Sequence, residues 1–215
     1  MVAENYDHIW DCCCDHGFLG AALLSKNAAP YIHFVDIVAE LMHTLEKELS
    51  RFFPGDSSSA SLWQVHCVDV STLPLQNYRG KHLVIIAGVG GDLMARFVHA
   101  ISQNHTGIEI DFLLCPVHHQ FTLRQQLIKL DFSLLTEALI SENQRFYEIL
   151  LVCSKPDASS AINPVGSLIW QSHTAEQLKT MTGYLASVLA HYQRVQLSSN
   201  SDVQHIIDAY RAIRI

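Results

Sequence analysis

Apolar runs alternate with amphipathic runs along the first 155 residues, and this alternation limits the fold more than any other feature. The apolar runs have the length of buried strands, and the runs between them carry apolar residues at helical spacing. Alternation of this kind is typical of βαβ units, whose strands form a parallel sheet with helices packed on it. The sequence therefore predicts an α/β fold with a Rossmann-like sheet.

Seven strands and four helices are expected in this region. The predicted helices are Gly17–Lys26, Val38–Phe52, Gly91–Gln103 and Thr122–Leu130. The predicted strands are Ile9–Cys13, Tyr31–Asp36, Leu62–Asp69, His82–Ala87, Asp111–Cys115, Ser133–Ile140 and Phe146–Cys153. No helix separates the last two strands, so they should form a hairpin that turns at Glu142-Asn143-Gln144 and places one antiparallel strand in the sheet.

Composition changes near residue 155, and we expect two units, 1–155 and 156–215. In the second unit, Thr174 and Gln177 would form a capping box, and a short helix follows Ser201. Apolar residues at alternating spacings of three and four predict a coiled-coil-like helical hairpin. Pairing of two chains through the same seam would instead give a weak dimer. The seam residues are Leu178, Met181, Leu185, Val188, Tyr192 and Val195.

Acidic residues follow the first three predicted strands. Asp11 closes the first strand, Asp36 the second and Asp69 the third. In open parallel sheets, ligands bind in the crevice outside these strand ends, where a helix N-terminus also points. A structural role is the alternative for each residue: Asp11 as an organiser of the turn, Asp36 as the N-cap of the run beginning at Val38, and Asp69 as a turn aspartate.

Glycines follow the fourth strand, in Ile85-Ile86-Ala87-Gly88-Val89-Gly90-Gly91. A glycine-rich bend at Gly88 and Gly90 would leave room for a planar ring to approach the ends of the strands.

The motifs resemble the TrmK family of S-adenosylmethionine (SAM) dependent tRNA methyltransferases, which act on N1 of an adenine. The resemblance lies in Asp11-x-x-x-Asp15-His16-Gly17-Phe18-Leu19, Ile86-Ala87-Gly88-Val89-Gly90-Gly91, Pro116 and Glu142–Ile149, and it runs from about Ile9 to Val152. Two departures are visible. Cys13 stands where the family has the first glycine of the cofactor turn, and Cys115-Pro116-Val117 replaces Gln-Pro-Asn.

The resemblance implies that SAM is the cofactor and that tRNA is the partner. The turn that holds Asp11, Asp15, His16 and Gly17 would lie against the methionine moiety. Asp36 would accept both ribose hydroxyls, and Asp69 would accept from the adenine amino group. Asp92 or Tyr147 would orient the target base.

The charge distribution is unfavourable for a nucleic-acid partner. The formal net charge is −7, and all of it lies in residues 1–155, because residues 156–215 hold equal numbers of acidic and basic side chains. An RNA-binding protein of this kind needs a local basic patch, since phosphate contacts dominate affinity. We expect such a patch at the crevice mouth and the hairpin. Its members would be Lys26, Arg79, Lys81, Arg96, Arg124 and Arg145, with Arg194, Arg211 and Arg214 on the hairpin.

Cysteine and histidine patterns predict no metal site. The six cysteines include no Cys-x-x-Cys pair, and Cys12, Cys13 and Cys14 should alternate in direction. His118 and His119 are adjacent, so a surface or capping role is expected. No apolar run reaches the roughly 20 residues that span a bilayer, and the N-terminus lacks a signal-peptide pattern, so we expect a cytoplasmic protein.

Three other functions compete with tRNA methylation. A SAM methyltransferase with a less anionic substrate would suit the acidic charge balance. An inactive relative retained as a binding protein would suit Cys13 in the cofactor turn. A nicotinamide dehydrogenase is the weakest alternative, because the first turn lacks Gly-x-Gly-x-x-Gly.

Overall fold

The fold was determined from a computed structural model, which describes residues 6–54, 62–171, 174–198 and 202–215. A seven-stranded sheet forms its centre, in the order β3-β2-β1-β4-β5-β7-β6. The strands are β1 (His8–Cys12), β2 (Tyr31–Asp36), β3 (Leu62–Cys67), β4 (His82–Ala87), β5 (Ile110–Cys115), β6 (Ser133–Glu142) and β7 (Arg145–Cys153).

Strand direction matches the prediction. Neighbours among β1 to β5 pair in parallel, whereas β7 is antiparallel to both β5 and β6. The strand order reverses at β1, which lies between β2 and β4. Ligands bind at such a switch point in open α/β sheets, at the carboxyl ends of the strands. The predicted Rossmann-like methyltransferase sheet is confirmed.

Helices cover both faces of the sheet because each inner strand is apolar on both sides. Ile85 points to the face that carries α1 and α2, and Ile86 points to the face that carries α3 and α4. Alternation of this kind is the consequence of the two-residue repeat of a strand. The helices are α1 (Phe18–Ser25), α2 (Ala39–Phe52), α3 (Gly91–Asn104) and α4 (Gln120–Lys129).

The predicted β6–β7 hairpin is also present. Glu142 pairs with Arg145, so Asn143 and Gln144 form a two-residue turn. Both turn residues have positive φ, 49° and 63°, as the tight turn of a twisted hairpin requires. Asn tolerates this conformation well, which accounts for the position of the turn.

The C-terminal segment forms α5 (Ala175–Ser198) and α6 (Gln204–Arg211). The predicted capping box is present: the Gln177 backbone N–H donates to Thr174 Oγ1, and the Thr174 N–H donates to the Gln177 side chain. Among the described residues, no helix has the length and apolarity needed to cross a membrane.

The two C-terminal helices run antiparallel. The Tyr192 and Tyr210 rings stack at 6.2 Å, and the Val203 N–H donates to the Gln196 side chain. The seam residues Leu185 and Val188 pack against a cluster to which α4 contributes Phe121 and α6 contributes Ile206 and Tyr210. The boundary at residue 155 and the coiled-coil description stay predictions.

A buried charge network joins this tail to the sheet. Arg124 of α4 is fully buried, and its guanidinium donates to Glu137 at 2.6 Å and to Glu148 at 2.8 Å. Tyr184 of α5 donates its hydroxyl to the other oxygen of Glu148. The prediction that Arg124 belongs to a basic surface patch is therefore wrong, because its charge is neutralised inside the protein.

A row of three histidines crosses β1, β2 and β3, with His8 and His33 buried and His66 half-buried. His66 Nε2 lies 2.9 Å from His33 Nδ1, and His33 Nε2 lies 3.0 Å from His8 Nδ1. Burial lowers the pKa values of His8, His33 and His66, which favours their neutral forms. His8 Nε2 faces the Arg79 carbonyl oxygen, which can only accept, so in a row of neutral rings each histidine donates through Nε2. Trp10 adds a stacked contact, with its ring 3.8 Å from that of His33.

Candidate functional site

The turn between β1 and α1 has an unusual backbone. Cys13, Asp15 and Gly17 all have positive φ, at 55°, 50° and 69°. Side chains other than glycine adopt this conformation rarely, and such residues are enriched at ligand sites. Asp15 and His16 are exposed at the turn, with His16 Nε2 lying 3.7 Å from Asp15 Oδ1. The turn thus presents polar groups at the carboxyl edge of the sheet.

Asp11, at the end of β1, binds the helix that follows this turn. Its carboxylate is buried and accepts a 2.8 Å hydrogen bond from the Gly20 N–H of α1. Burial raises the pKa of Asp11 to about 6, an effect that the Gly20 hydrogen bond only partly opposes. Asp11 therefore fixes α1 relative to β1.

Gly17 is required by packing. A Cβ at this position would collide with Leu45 of α2 and press on Phe34 of β2. The glycine lets the start of α1 lie close to the sheet, which brings the helix N-terminus to the crevice.

Asp36 and Asp69 line a small cavity at the ends of β2 and β3. Asp36 accepts from the Asp15 N–H at 3.2 Å and from the Val38 N–H at 3.1 Å. Asp69 accepts from Ser71, whose hydrogen bonds hold the pKa of Asp69 below its usual value. Both carboxylates are thus oriented by the backbone before any ligand arrives.

Cys13 faces this same cavity, which has a volume of about 70 Å³. Burial raises the pKa of Cys13 to about 11, with Asp36 and Asp11 adding to the shift. The thiol is consequently neutral and unreactive at physiological pH. It acts here as a bulky group on the wall of the cavity.

The β4–α3 bend divides its glycines between two roles. Gly88 has φ of 79° and open space around its missing Cβ. A Cβ at Gly90 would overlap the His118 ring, and one at Gly91 would overlap the His119 carbonyl. The open space expected at the bend is therefore at Gly88, whereas the other two glycines allow a neighbouring loop to pack closely.

Asp92 lies in the first turn of α3 and is exposed. Its Oδ1 atom lies 3.1 Å from His119 Nδ1, and this hydrogen bond holds the pKa of Asp92 below its usual value. His119 is the N-cap residue of α4 and has φ of 60°. The loop that carries it thus connects Asp92 with the second half of the sheet.

A cavity of about 480 Å³ opens on the other side of that loop. Its walls come from the loop before α4, the hairpin and α5, and Tyr147 lies among them. Aromatic rings and groups that can carry positive charge meet there. The lining includes His118, His119, Arg145, Phe146, Tyr147, Tyr184, His191, Tyr192 and Arg194.

This cavity has the polarity that a nucleotide requires, although the chain as a whole is acidic. Of the predicted basic patch, Arg145 and Arg194 line it, and Lys81 instead pairs with Asp111 at 3.4 Å. A larger cavity of about 840 Å³ lies between β6 and α5 and contains none of the predicted site residues. The 480 Å³ cavity adjoins the β4–α3 bend, because His118 and His119 line it and also lie against Gly90 and Gly91.

Two parts of this site were not predicted. His191 was missed because its place on the wall depends on how α5 docks. The approach of His118 and His119 to Asp92 was missed because neighbouring residues were expected to point apart. The glycine pair at Gly90 and Gly91 was the available signal, since it shows that something packs closely on the start of α3.

Fold and crevice together define a class: a Rossmann-like methyltransferase domain with acidic side chains at the carboxyl ends of β1 to β3. The chain belongs to the methyltransferase domain family, which matches residues 1–150.

A search of curated sequences gives a more specific similarity. The chain is 28% identical over 126 residues to the tRNA (adenine(22)-N(1))-methyltransferase of Bacillus subtilis (strain 168), a match that covers 55% of this chain and 52% of the relative. It thus spans about half the length of that curated relative.

Solved structures share the fold over nearly the whole chain. Sp1610 of Streptococcus pneumoniae superposes with a TM-score of 0.70 at 17% identity, covering 97% of this chain and 93% of that one. TrmK of M. capricolum, in complex with S-adenosyl-homocysteine, gives 0.69 at 16% identity, with 95% and 89% covered.

Proposed function

We propose that this protein is a SAM-dependent methyltransferase that modifies N1 of an adenine in tRNA. One observation carries the proposal: an acidic cofactor edge and an aromatic, cationic cavity lie on opposite sides of one glycine bend. The tRNA methyltransferase relative and the TrmK fold support the same reaction.

The crevice residues fit SAM. Asp36 and Asp69 line one cavity at the strand ends and are held by backbone hydrogen bonds, so they are placed to accept from the ribose hydroxyls and the adenine amino group. SAM supplies an electrophilic methyl group on a sulfonium sulfur, and carboxylates near that cation are favourable. Asp15 and His16 at the exposed turn would face the methionine end.

The remaining chemistry needs positioning more than acid–base assistance. The N1 lone pair attacks the methyl carbon while the bond from that carbon to sulfur breaks, and the sulfur keeps the electron pair. N1 carries no proton in neutral adenine, so no general base is required for the attack. Gly88 leaves space for the base plane, and Asp92 and Tyr147 would orient it from two sides.

Binding of RNA would use the 480 Å³ cavity. An adenine that leaves its stack in the RNA can stack on an aromatic ring of the lining such as Tyr147. This new contact would offset the free energy lost on unstacking. Arg145 and Arg194 are placed to contact the flanking phosphates.

The cofactor assignment is tested by calorimetry with SAM and its demethylated product. Asp36→Ala should weaken binding by about 1.5–3 kcal/mol, since a hydrogen bond to a charged group is lost. Asp157→Ala is the matched control, because Asp157 is an exposed aspartate that also accepts a backbone N–H, from Ser159. Equal affinities in all three proteins would remove Asp36 from the site.

The substrate assignment is tested with unmodified tRNA transcripts. Incubation with SAM should produce N1-methyladenosine, detected by mass spectrometry of nucleosides, and tRNA binding should weaken steeply with salt. Replacing Arg145 and Arg194 by Gln should reduce the salt slope by about 2, or about 1 for each lost phosphate contact. Arg51→Gln on α2 is the control. A protein preparation that binds SAM but leaves the tRNA unmodified would contradict the assignment.

A smaller, less anionic substrate is the second candidate. It is favoured by the burial of Arg124, which removes one cation from the expected patch. The 480 Å³ cavity has room for a planar heterocycle without an attached polynucleotide. SAM binding with salt-independent, weak tRNA binding would favour this candidate.

A further inference from the structure

Three side chains beside the crevice form a set of metal-ligand type. Within the described part of the chain, Asp92, His118 and His119 are the one group of at least three such residues whose potential ligand atoms all lie within 4.8 Å of one another. All three side chains are exposed, so an ion from solution can reach them. We propose that these residues bind a divalent transition-metal ion of the zinc class.

The spacing already approaches that of a coordinated ion. Asp92 Oδ1 and His119 Nδ1 are 3.1 Å apart. Two ligands at about 2.0 Å from a tetrahedral zinc ion lie about 3.3 Å from each other. A shared ion would replace the present hydrogen bond once the proton of neutral His119 is carried on Nε2, which leaves the Nδ1 lone pair free to coordinate.

Backbone geometry brings the two neighbouring histidines together. His119 has φ of 60°, which turns the chain, and the two rings lie 4.3 Å apart. The loop is fixed to the start of α3 by the Gly91 N–H, which donates to the His118 carbonyl at 2.8 Å. Gly90 and Gly91 leave the space that the loop fills. The ligand set is thus carried on two anchored elements rather than on a free loop.

The chemistry of the donors selects the ion. Two imidazoles and one carboxylate suit zinc, cobalt or nickel better than magnesium or calcium, which prefer oxygen ligands. Three protein ligands leave a fourth position for solvent. His191 lines the same cavity as His118 and His119. A bound ion would place positive charge where the 480 Å³ cavity opens.

Metal binding is measured on the whole protein after removal of bound metal by a chelator. Zinc titrated by calorimetry should bind saturably with one ion per chain. Cobalt should give visible d–d bands without the near-ultraviolet thiolate band that cysteine ligation produces. Binding should weaken as the pH is lowered, because protonated imidazole cannot coordinate a metal ion.

Single substitutions identify the ligands. Asp92→Asn, His118→Gln and His119→Gln should each weaken zinc binding by more than about tenfold. His43→Gln, on the exposed face of α2, should leave it unchanged. Thermal unfolding of each variant checks that the fold is kept. The proposal would be overturned by a lack of saturable zinc binding, by a thiolate band, or by native affinity in the His119 variant. None of these outcomes bears on methyl transfer.

Discussion

Cys13 shows how one residue can affect a binding site through both its backbone conformation and the size of its side chain. It has a left-handed φ of 55°, and its thiol faces the cavity of Asp36 and Asp69. Cys14, the next residue, packs against the cluster on the opposite face of the sheet. The two neighbouring thiols therefore provide a natural comparison.

Cys13→Gly should raise SAM affinity. Glycine removes the thiol from the cavity wall and adopts positive φ without strain. We expect a gain of up to about tenfold, or about 1.4 kcal/mol, in calorimetric titration. Cys14→Ala is the control and should leave affinity unchanged. Level or reduced affinity in Cys13→Gly would show that the thiol does not intrude on the cofactor.

Residue roles were only partly predictable from the sequence. Aspartates at strand ends could be placed in the crevice because parallel strands end at one edge. The reasons for Gly17 and Gly90 could not be predicted, because they depend on Leu45 and His118, which approach from other elements. The contacts of a glycine become visible only when the packing is known.

At the scale of elements, the burial of Arg124 in α4 could have been predicted from the sequence. Arg124 lies three residues after Phe121 and three before Leu127, so it falls on the apolar stripe of the helix. A cation on that stripe needs an acidic partner in the core. Glu137 and Glu148 provide it from β6 and β7.

Arg124→Met should destabilise the protein by about 3–5 kcal/mol, because two buried carboxylates lose their counter-ion. Tyr184→Phe should cost less, about 1.5–3 kcal/mol, since only one hydrogen bond to Glu148 is lost. Urea unfolding measures both. Lys129→Met, an exposed cation on the same helix, should have little effect. A cost for Arg124→Met no larger than for Lys129→Met would contradict the role of the network.

Strand and helix positions were predictable within a few residues, because apolar periodicity records which face is buried. The hairpin turn followed from the absence of a helix between β6 and β7. Register between strands was not predictable. The histidines of β1, β2 and β3 looked scattered in sequence and became one chain only through the pairing of those strands.

For the molecule as a whole, the row of histidines on β1, β2 and β3 determines how the free energy of unfolding varies with pH. Burial lowers the pKa of His33 to about 2, and it also lowers the pKa values of His8, His66 and His82. Below pH 6.5 the unfolded chain binds protons that the folded protein does not, so stability falls as the pH decreases. Asp11 changes stability in the opposite direction below about pH 6. Its raised pKa makes the folded state bind the extra proton, so its contribution to stability increases as the pH decreases.

The free energy of unfolding should therefore decrease between pH 7 and pH 5. His33 alone contributes about 1.4 kcal/mol for each pH unit below 6.5. His33→Asn should reduce this slope by about one bound proton, whatever its effect on absolute stability. Urea titrations at a series of pH values measure the slope, with the exposed His43→Asn as control. An unchanged slope in His33→Asn would rule out His33 as the source.

The direction of the histidine chain also decides whether it can move protons. A proton relay along hydrogen bonds needs a final acceptor that can keep the proton and release it. The carbonyl oxygen of Arg79 is not such an acceptor, so the row of rings ends at a group that cannot take up and release a proton. The hydrogen bonds therefore join β1, β2 and β3 to one another but provide no proton exit at Arg79.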